Sequence, residues 1–339
     1  MRQLLKGCSK IAFIGIGGGG DVCSAAMLSI ASEREGLESI TGTIVWERFP
    51  YDPIPGPIPL GSIRGIRLVS EYSGICEGEC YANRNERKVE VQASLVSKAL
   101  GRPILLLDIS RGFKGLVEGV KALKESFYVD CVVGVDVGGD VLAEGGEDDL
   151  WSPLADSLGL SSIAKASSSG LRTFLAVHSL GADGELRVDY LLWRLSLIAR
   201  EGGFYGSRGI TRDDVEVLER VLSLARSEAS MIQVLAFKGE HGTRNIRGGR
   251  SVEVTLLQTI TFFVDATVAF RLSPLAQLVV DTESIWEARA KLNNAGVFTE
   301  LDLEELVFKA VEEGTPPSSI NIIALRELGK KRLREALHQ

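Results

Sequence analysis

The sequence predicts an α/β fold, with a Rossmann-like, mostly parallel sheet flanked by helices and a C-terminal α+β extension. Short, continuous apolar runs alternate with helical stretches, as in a parallel sheet covered on both faces. A glycine-rich turn follows the first apolar run. Of the 339 residues, 45% are hydrophobic and 24% charged, so the chain can bury a large core.

Five apolar runs are predicted as strands because each is short, continuous and followed by a turn or a helical pattern. The predicted strands are 11–17, 39–47, 102–110, 130–138 and 171–180. The predicted helices are 21–35, 86–100, 112–126, 152–160 and 186–201.

We divide the chain into a core, 1–235, and an extension, 236–339, that packs on it because no long linker separates them. Within the extension, 252–270 is predicted as one or two strands that can join the same sheet. Its predicted helices are 283–293, 301–313 and 325–339.

An insertion at 48–85 is far longer than the usual connection between two such elements. Half of the ten prolines lie between residues 50 and 59, which predicts a stiff segment. A stiff segment at the ligand-binding edge of a sheet can form a wall or lid over the site. It can equally be an arm that packs against a partner subunit, which leaves a homo-oligomer open.

Charge and hydropathy exclude several classes of function. The net charge of −7 argues against general nucleic-acid binding, which needs a basic face. No apolar stretch approaches the roughly 20 residues that span a bilayer, and the N-terminus lacks the features of a signal peptide. Five scattered cysteines are typical of reduced thiols, so a cytoplasmic protein is expected.

The turn after the first predicted strand resembles a dinucleotide-binding motif. Gly15, Gly17, Gly18, Gly19 and Gly20 satisfy G-x-G-x-x-G between a strand and a helix, where backbone N–H groups can bind an anion. Glu47 follows the second strand, where such proteins bind the ribose hydroxyls. These residues predict cofactor binding, with NAD(P) as one candidate.

Asp21 argues against a plain NAD(P) site, because its carboxylate would repel a pyrophosphate at the same helical turn. Two explanations remain open. Asp21 can cap the helix, a common role for aspartate. Alternatively it can bind Mg²⁺, which proteins usually hold through one or two carboxylates together with substrate oxygens.

A second turn repeats the Gly-Gly-Asp pattern at the end of the fourth predicted strand. It contains Asp136, Gly138, Gly139 and Asp140. Because the carboxyl ends of parallel strands share one edge, both turns are expected at one site, with Asp21, Asp136 and Asp140 as metal ligands. The alternative is a pair of tight turns with capping aspartates.

His178 is the one histidine at a predicted strand end, so it joins Asp21 and Asp140 as a candidate catalytic residue. A hydrogen-bonded structural histidine is the alternative. A basic cluster could clamp a phosphate or lie on a solvent-facing hairpin. Its members are Lys238, His241, Arg244, Arg247 and Arg250.

Several segments together resemble the DUF1152 family of uncharacterised, mainly archaeal proteins. They are IGIGGGGD (14–21), ERFPYDPIPGPI (47–58), VGVDVGGD (133–140), SPLAD (152–156), GADGEL (181–186) and SPLA (273–276). The resemblance spans most of the chain and implies a single family-length unit of archaeal, cytosolic origin. It implies no activity and no catalytic residues.

The sequence therefore predicts a protein that binds or acts on a nucleotide or another phosphorylated small molecule, with Mg²⁺ as the candidate cofactor. Two alternatives stay open. One is an NAD(P)-dependent oxidoreductase, and the other is a ligand-sensing or scaffold protein without turnover.

Overall fold

The structure, a computed structural model, describes residues 1–338, apart from the side chain of Arg247, so the predicted role of Arg247 lies outside the described residues. The strands are β1 (Lys10–Gly15), β2 (Glu38–Ile44), β3 (Ile63–Leu68), β4 (Ser73–Arg84), β5 (Arg87–Glu90), β6 (Ile104–Leu107), β7 (Cys131–Val137), β8 (Arg172–His178), β9 (Phe204–Gly209), β10 (Gly242–Asn245), β11 (Ser251–Val254) and β12 (Ile260–Asp265). The α-helices are α1 (Val22–Arg34), α2 (Gln92–Leu100), α3 (Gly112–Phe127), α4 (Pro153–Ala166), α5 (Val188–Arg200), α6 (Arg212–Leu222), α7 (Glu228–Phe237), α8 (Ala266–Arg271), α9 (Pro274–Leu278), α10 (Ile285–Asn294), α11 (Glu300–Glu312) and α12 (Ile322–Leu337).

Five parallel strands form the centre of the main sheet, in the order β6-β2-β1-β7-β8. The predicted α/β fold is confirmed. The chain builds from β1 through β2 to β6, and then returns to the other side of β1 with β7 and β8. In sheets of this kind ligands bind outside the carboxyl ends of the strands where the order reverses, which here lies between β1 and β7.

Antiparallel strands extend the sheet on both sides. On one side β4 pairs with β6, and β3 and β5 pair with β4. On the other side β12 lies between β8 and β9 and is antiparallel to both. The expectation that the extension joins the main sheet is confirmed by β12, whereas β10 and β11 form a separate hairpin.

Two predicted elements differ in extent. The predicted helix 86–100 is a strand followed by a helix, because β5 pairs with β4 before α2 begins at Gln92. Pairing with a neighbouring strand overrides the local helical pattern there. The predicted strand 39–47 ends at Ile44, so Glu47 lies in the loop beyond it.

The insertion contains more structure than the stiff segment predicted from its prolines, since β3 and β4 both lie entirely within it. The proline-rich part packs on its own chain. Arg84 binds the Asp52 carboxylate, with Nε 3.0 Å from Oδ2, and donates to the carbonyls of Ile54 and Gly56. The Gly56 N–H donates to Glu304 on α11 over 2.8 Å.

Helices cover both faces of the sheet. Side chains alternate across β1, so Phe13 lies in the core on the α1 side and Ile14 in the core on the α3 and α4 side. Every residue of α4 except Lys165 is buried. Asp156, a charged residue of α4, is therefore buried, and it forms part of the site described below.

The prediction of reduced cysteines is wrong for four of the five. Cys8 is bonded to Cys131, and Cys76 is bonded to Cys80, while Cys23 is buried and unpaired. The first disulfide joins residues far apart in sequence, which only the fold brings together. The cysteines therefore give no support for a reducing compartment. None of the helices in the described part of the chain has the length and apolar character needed to cross a membrane.

Candidate functional site

The glycine-rich turn after β1 places Asp21 beside the end of β7. Asp21 is 9% exposed, and its Oδ2 accepts a hydrogen bond from the Gly17 N–H over 2.8 Å. The Asp21 side chain makes no capping bond to α1. The structure therefore does not support the explanation that Asp21 is a helix cap.

Glycine is required at position 17 because the backbone there passes between two carboxylates. A Cβ atom on Gly17 would lie 2.8 Å from Asp156 Oδ1 and 2.8 Å from Asp21 Oδ2. Glu47 lies against the same turn, since a Cβ atom on Gly19 would lie 2.9 Å from Glu47 Oε1. That oxygen also accepts a hydrogen bond from the Gln92 N–H over 2.8 Å.

Several of the predicted backbone donors are already engaged within the protein. The Gly17 N–H binds Asp21, and the Gly19 N–H binds the Trp46 carbonyl over 3.1 Å. The Gly138 N–H donates to the His178 carbonyl over 3.0 Å. The glycine turns thus shape the site more than they offer donors to an anion.

The turn after β7 brings Asp136 and Asp140 to the same cavity as Asp21. Asp136 is the penultimate residue of β7, and Asp140 accepts a hydrogen bond from the Ser152 hydroxyl over 3.0 Å. Gly138 has a φ of +130°, and a Cβ atom there would lie 2.3 Å from Asp183 Cγ. The turn therefore needs glycine both for its conformation and for the close approach of Asp183.

Three further carboxylates complete the cluster and were not assigned to it from the sequence: Asp156 in the first turn of α4, and Asp183 and Glu185 after β8. Carboxylate oxygens of Asp136, Asp140 and Asp156 lie within 4.8 Å of one another. Oxygens of Asp140, Asp183 and Glu185 also lie within 4.8 Å of one another and form a second group. Asp140 belongs to both groups.

The members of this cluster differ in whether their oxygens have partners. Asp136 and Asp156 are each 1% exposed, and none of their four carboxylate oxygens has a hydrogen-bond donor in normal geometry. The Gly139 N–H and the Asp140 and Asp156 carboxyls lie close enough to Asp136 to offset part of the rise in its pKa. Glu185, in contrast, accepts from the Trp151 and Ser152 N–H groups and from Arg250. Buried carboxylates without donors are costly, and proteins normally pair them with cations or hydrogen-bond donors.

Burial and mutual repulsion raise the pKa of every aspartate in the cluster. Burial raises the pKa of Asp136 to about 7 and, with the neighbouring charge of Glu185, that of Asp183 to about 8. Burial also raises the pKa values of Asp21, Asp140 and Asp156 well above the ordinary value, and nearby carboxylates add to the effect. The cluster can be fully ionised at neutral pH only if a cation compensates its charge.

Two arginines stand at the border of the cluster. Arg48 binds Glu300, with Nη2 3.2 Å from Oε1, and lies 3.9 Å from the centroid of the Trp46 ring. Arg250 binds Glu185, with Nη1 2.8 Å from Oε1. Arg250 thus turns inward from the predicted basic cluster, whereas Lys238, His241 and Arg244 are exposed.

All carboxylates of the cluster except Asp156 line a cavity of about 120 Å³. Around it lie the carboxylates of Asp21, Asp136, Asp140, Asp183, Glu47 and Glu185, the turn Gly17–Gly20, and the loop before α7 with Arg226 and Ser227. Gly138 and Gly139 support this wall without lining it. The space is large enough for a cation and several waters or oxygen ligands, since one water needs about 10–15 Å³ on this scale.

A family model described as "Protein of unknown function (DUF1152)" matches residues 12–308. The chain belongs to the DUF1152 family. No curated protein and no solved structure matches this DUF1152 protein. The matched range contains every carboxylate of the cluster, together with Arg48, Arg250 and α11 as far as residue 308.

The structure keeps His178 away from the cavity of this DUF1152 protein. Its imidazole is completely buried at the end of β8, where Nδ1 lies 2.7 Å from the Thr261 hydroxyl and Nε2 contacts the Gln233 amide oxygen. Burial lowers its pKa to about 4, so the ring is neutral at physiological pH. These contacts match the structural alternative for His178.

A signal for the missed carboxylates was present in the sequence. Asp156 ends the segment SPLAD, and Asp183 and Glu185 lie in GADGEL, both of which carry the resemblance to the DUF1152 family. Their spacing from Asp136 shows no metal-binding pattern. Only the packing of α4 and of the loop after β8 against β7 brings them to Asp140.

Proposed function

We propose that this protein binds a divalent cation, Mg²⁺ or Mn²⁺, between Asp136, Asp140 and Asp156, and uses it to bind or act on a phosphorylated small molecule. One observation carries the proposal: the four carboxylate oxygens of Asp136 and Asp156 are buried and accept no hydrogen bond. Hard divalent cations prefer such oxygen ligands, and Mg²⁺ usually completes its coordination with water and substrate phosphate oxygens.

The charge of the cavity supports a role for the cation in binding the phosphate. Carboxylates outnumber the guanidinium groups of Arg48, Arg226 and Arg250 along its wall. A phosphate entering this cavity alone would meet repulsion, while a bound cation reverses the local charge. We therefore expect phosphate binding to depend on the metal.

The same arrangement gives less support to an NAD(P)-dependent oxidoreductase. Two N–H groups of the glycine turn are already engaged, and Asp21, Asp136 and Asp156 lie where a pyrophosphate would dock. With His178 held elsewhere, a carboxylate or a metal-bound water is the base that this site could offer. A protein that binds such a ligand without turnover would use the same residues.

The experiment is a titration of the metal-free protein with MgCl2 and MnCl2, followed by calorimetry and thermal unfolding. We expect saturable binding and stabilisation of about 2.7 kcal/mol at a cation concentration of a hundred times Kd. Asp156→Asn removes both effects, because it replaces a carboxylate ligand. The matched control is Asp149→Asn, the same change at an exposed residue seven positions earlier in the sequence.

A second stage adds inorganic phosphate and a panel of nucleotides and sugar phosphates with and without the cation, and follows their consumption. Stabilisation by a phosphate compound only in the presence of metal supports the proposal. Metal binding that survives in both Asp156→Asn and Asp136→Asn would overturn the metal site. Phosphate binding that is equally tight without metal would overturn the role of the cation.

A further inference from the structure

A second cavity, of about 390 Å³, opens beside the acidic one. Its wall comes from the proline-rich segment, α11 and the segment leading into α12. The apolar residues that line it are Phe49, Pro50, Trp151, Leu303, Val307, Pro317 and Ile322. Its volume is in the range of small-molecule sites, whose walls are predominantly apolar.

The two cavities are adjacent, because four residues contribute to the walls of both. Arg48, Ser152, Glu185 and Arg250 line both. The junction between the cavities is thus polar, while most of the exposed wall of the second cavity is apolar. A single ligand with a charged head and an apolar body can occupy both.

The guanidinium groups at this junction indicate the charge of the head. Arg250 Nε and Arg48 Nη1 are buried nitrogens without a hydrogen-bond acceptor, although Nη1 lies 3.6 Å from the Glu304 carboxylate. Spare guanidinium donors beside a metal site are suited to phosphate oxygens. Both groups are ion-paired, Arg48 with Glu300 and Arg250 with Glu185, so the junction offers a phosphate their unpaired nitrogens rather than a net positive charge.

The geometry points to an organic phosphate with a hydrocarbon-rich body as the ligand of this protein. Its phosphate would lie at the junction and on the cation, and its aromatic or branched alkyl group would lie between Trp151, Leu303 and Val307. This inference rests on the proposed function and narrows it from phosphorylated small molecules in general. Sugar phosphates fit poorly, because the apolar wall offers few partners for their hydroxyl groups.

The test compares methyl, butyl and hexyl phosphate with ribose 5-phosphate, each titrated by calorimetry into the Mn²⁺-loaded protein. Burial of each added methylene should tighten binding about fourfold until the cavity is filled. Hexyl phosphate should therefore bind much more tightly than methyl phosphate and ribose 5-phosphate. Hexylamine, which has the same body and the opposite charge, should bind more weakly than hexyl phosphate.

A variant tests whether the tighter binding of the longer alkyl phosphates arises in this cavity. Leu303→Gln puts an amide in its wall, so the advantage of hexyl over methyl phosphate should shrink at least tenfold while Mn²⁺ still binds. Leu328→Gln is the matched control, because Leu328 is an exposed leucine of α12 that does not line the cavity. If Leu303→Gln fails to fold, the phosphate series on the unmodified protein remains decisive.

The outcomes separate the two proposals. If Mn²⁺ and methyl phosphate bind but chain length has no effect, the apolar-body inference is wrong and the proposed function stands. If hexylamine binds more tightly than hexyl phosphate, the head is cationic and the inference is wrong. If Mn²⁺ does not bind, the proposed function itself fails.

Discussion

Two buried polar regions lie at the carboxyl ends of neighbouring strands and differ in how their polar atoms are paired. At the end of β8, both ring nitrogens of His178 have partners, and Gln233 continues the chain of hydrogen bonds to Ser24, with Nε2 2.7 Å from its hydroxyl. At the end of β7, both oxygens of Asp136 have none. The two residues even occupy adjacent strands, with Val137 paired to His178.

The difference shows which buried polar group is available for chemistry. In the His178 region both ring nitrogens have partners from the protein itself. One partner, Gln233, lies on α7, and the loop before α7 supplies Arg226 and Ser227 to the cavity. The Asp136 region is incomplete without a cation or added protons. A buried group whose partners are missing points to a ligand, while a satisfied one points to stability.

The two regions should respond to pH in opposite directions. Because burial raises the pKa of Asp136 from 3.8 to about 7, its contribution to the stability of the metal-free protein is fully present below pH 3.8 and is lost as pH rises from there through about 7. The pKa difference corresponds to roughly 4 kcal/mol. Urea unfolding in a chelating buffer should therefore show an unfolding free energy that falls as pH rises. The fall should be smaller for Asp136→Asn than for the unmodified protein. Parallel pH profiles for the two proteins would contradict this.

His178 should produce the second largest effect, with the opposite sign. Its pKa is lowered from 6.5 to about 4 by burial, so stability present above pH 6.5 is lost as pH falls toward 4. The difference corresponds to about 3 kcal/mol. His178→Gln removes this titration, and its unfolding free energy should vary less than that of the unmodified protein between pH 6.5 and 4. An unchanged acid profile would show that His178 is not buried as the structure has it.

Removing one partner of His178 should affect stability and leave the cation site intact. Thr261→Val deletes the hydroxyl that lies 2.7 Å from Nδ1 and leaves a buried nitrogen unpaired. We expect a loss of about 1–3 kcal/mol of unfolding free energy. The Mn²⁺ dissociation constant should stay within a factor of two, and a larger change would mean that the two regions are coupled.

Ser152→Ala should weaken cation binding and leave the stability of the protein nearly unchanged, the opposite of Thr261→Val. The Ser152 hydroxyl lies 3.0 Å from Asp140 and 2.6 Å from Glu185, so it orients both carboxylates. Loss of a group that orients metal ligands should weaken Mn²⁺ binding about tenfold. Calorimetry measures that change, and urea unfolding should show a stability change of about 1 kcal/mol or less. Unchanged Mn²⁺ affinity would place the cation away from Asp140.

The sequence carried the local information for the parallel core and for half of the carboxylate cluster. Apolar runs predict β1, β2, β6, β7 and β8 because a strand buried on both faces is apolar throughout. The two glycine turns predict Asp21, Asp136 and Asp140 because each follows a strand directly. Parallel strands share one edge, so the meeting of these turns follows from the topology.

Only the tertiary structure decided the rest, because the contacts join residues that no local pattern connects. Asp156 faces Gly17 only because α4 is buried against β7 and β8. The disulfide of Cys8 and Cys131 depends on the pairing of β1 with β7, which sets Ile11 opposite Cys131. His178 ended its strand as predicted, but the pairing of β12 with β8 and the position of α7 gave it partners. Long-range packing thus decided which buried polar groups were satisfied and which were left open to a ligand.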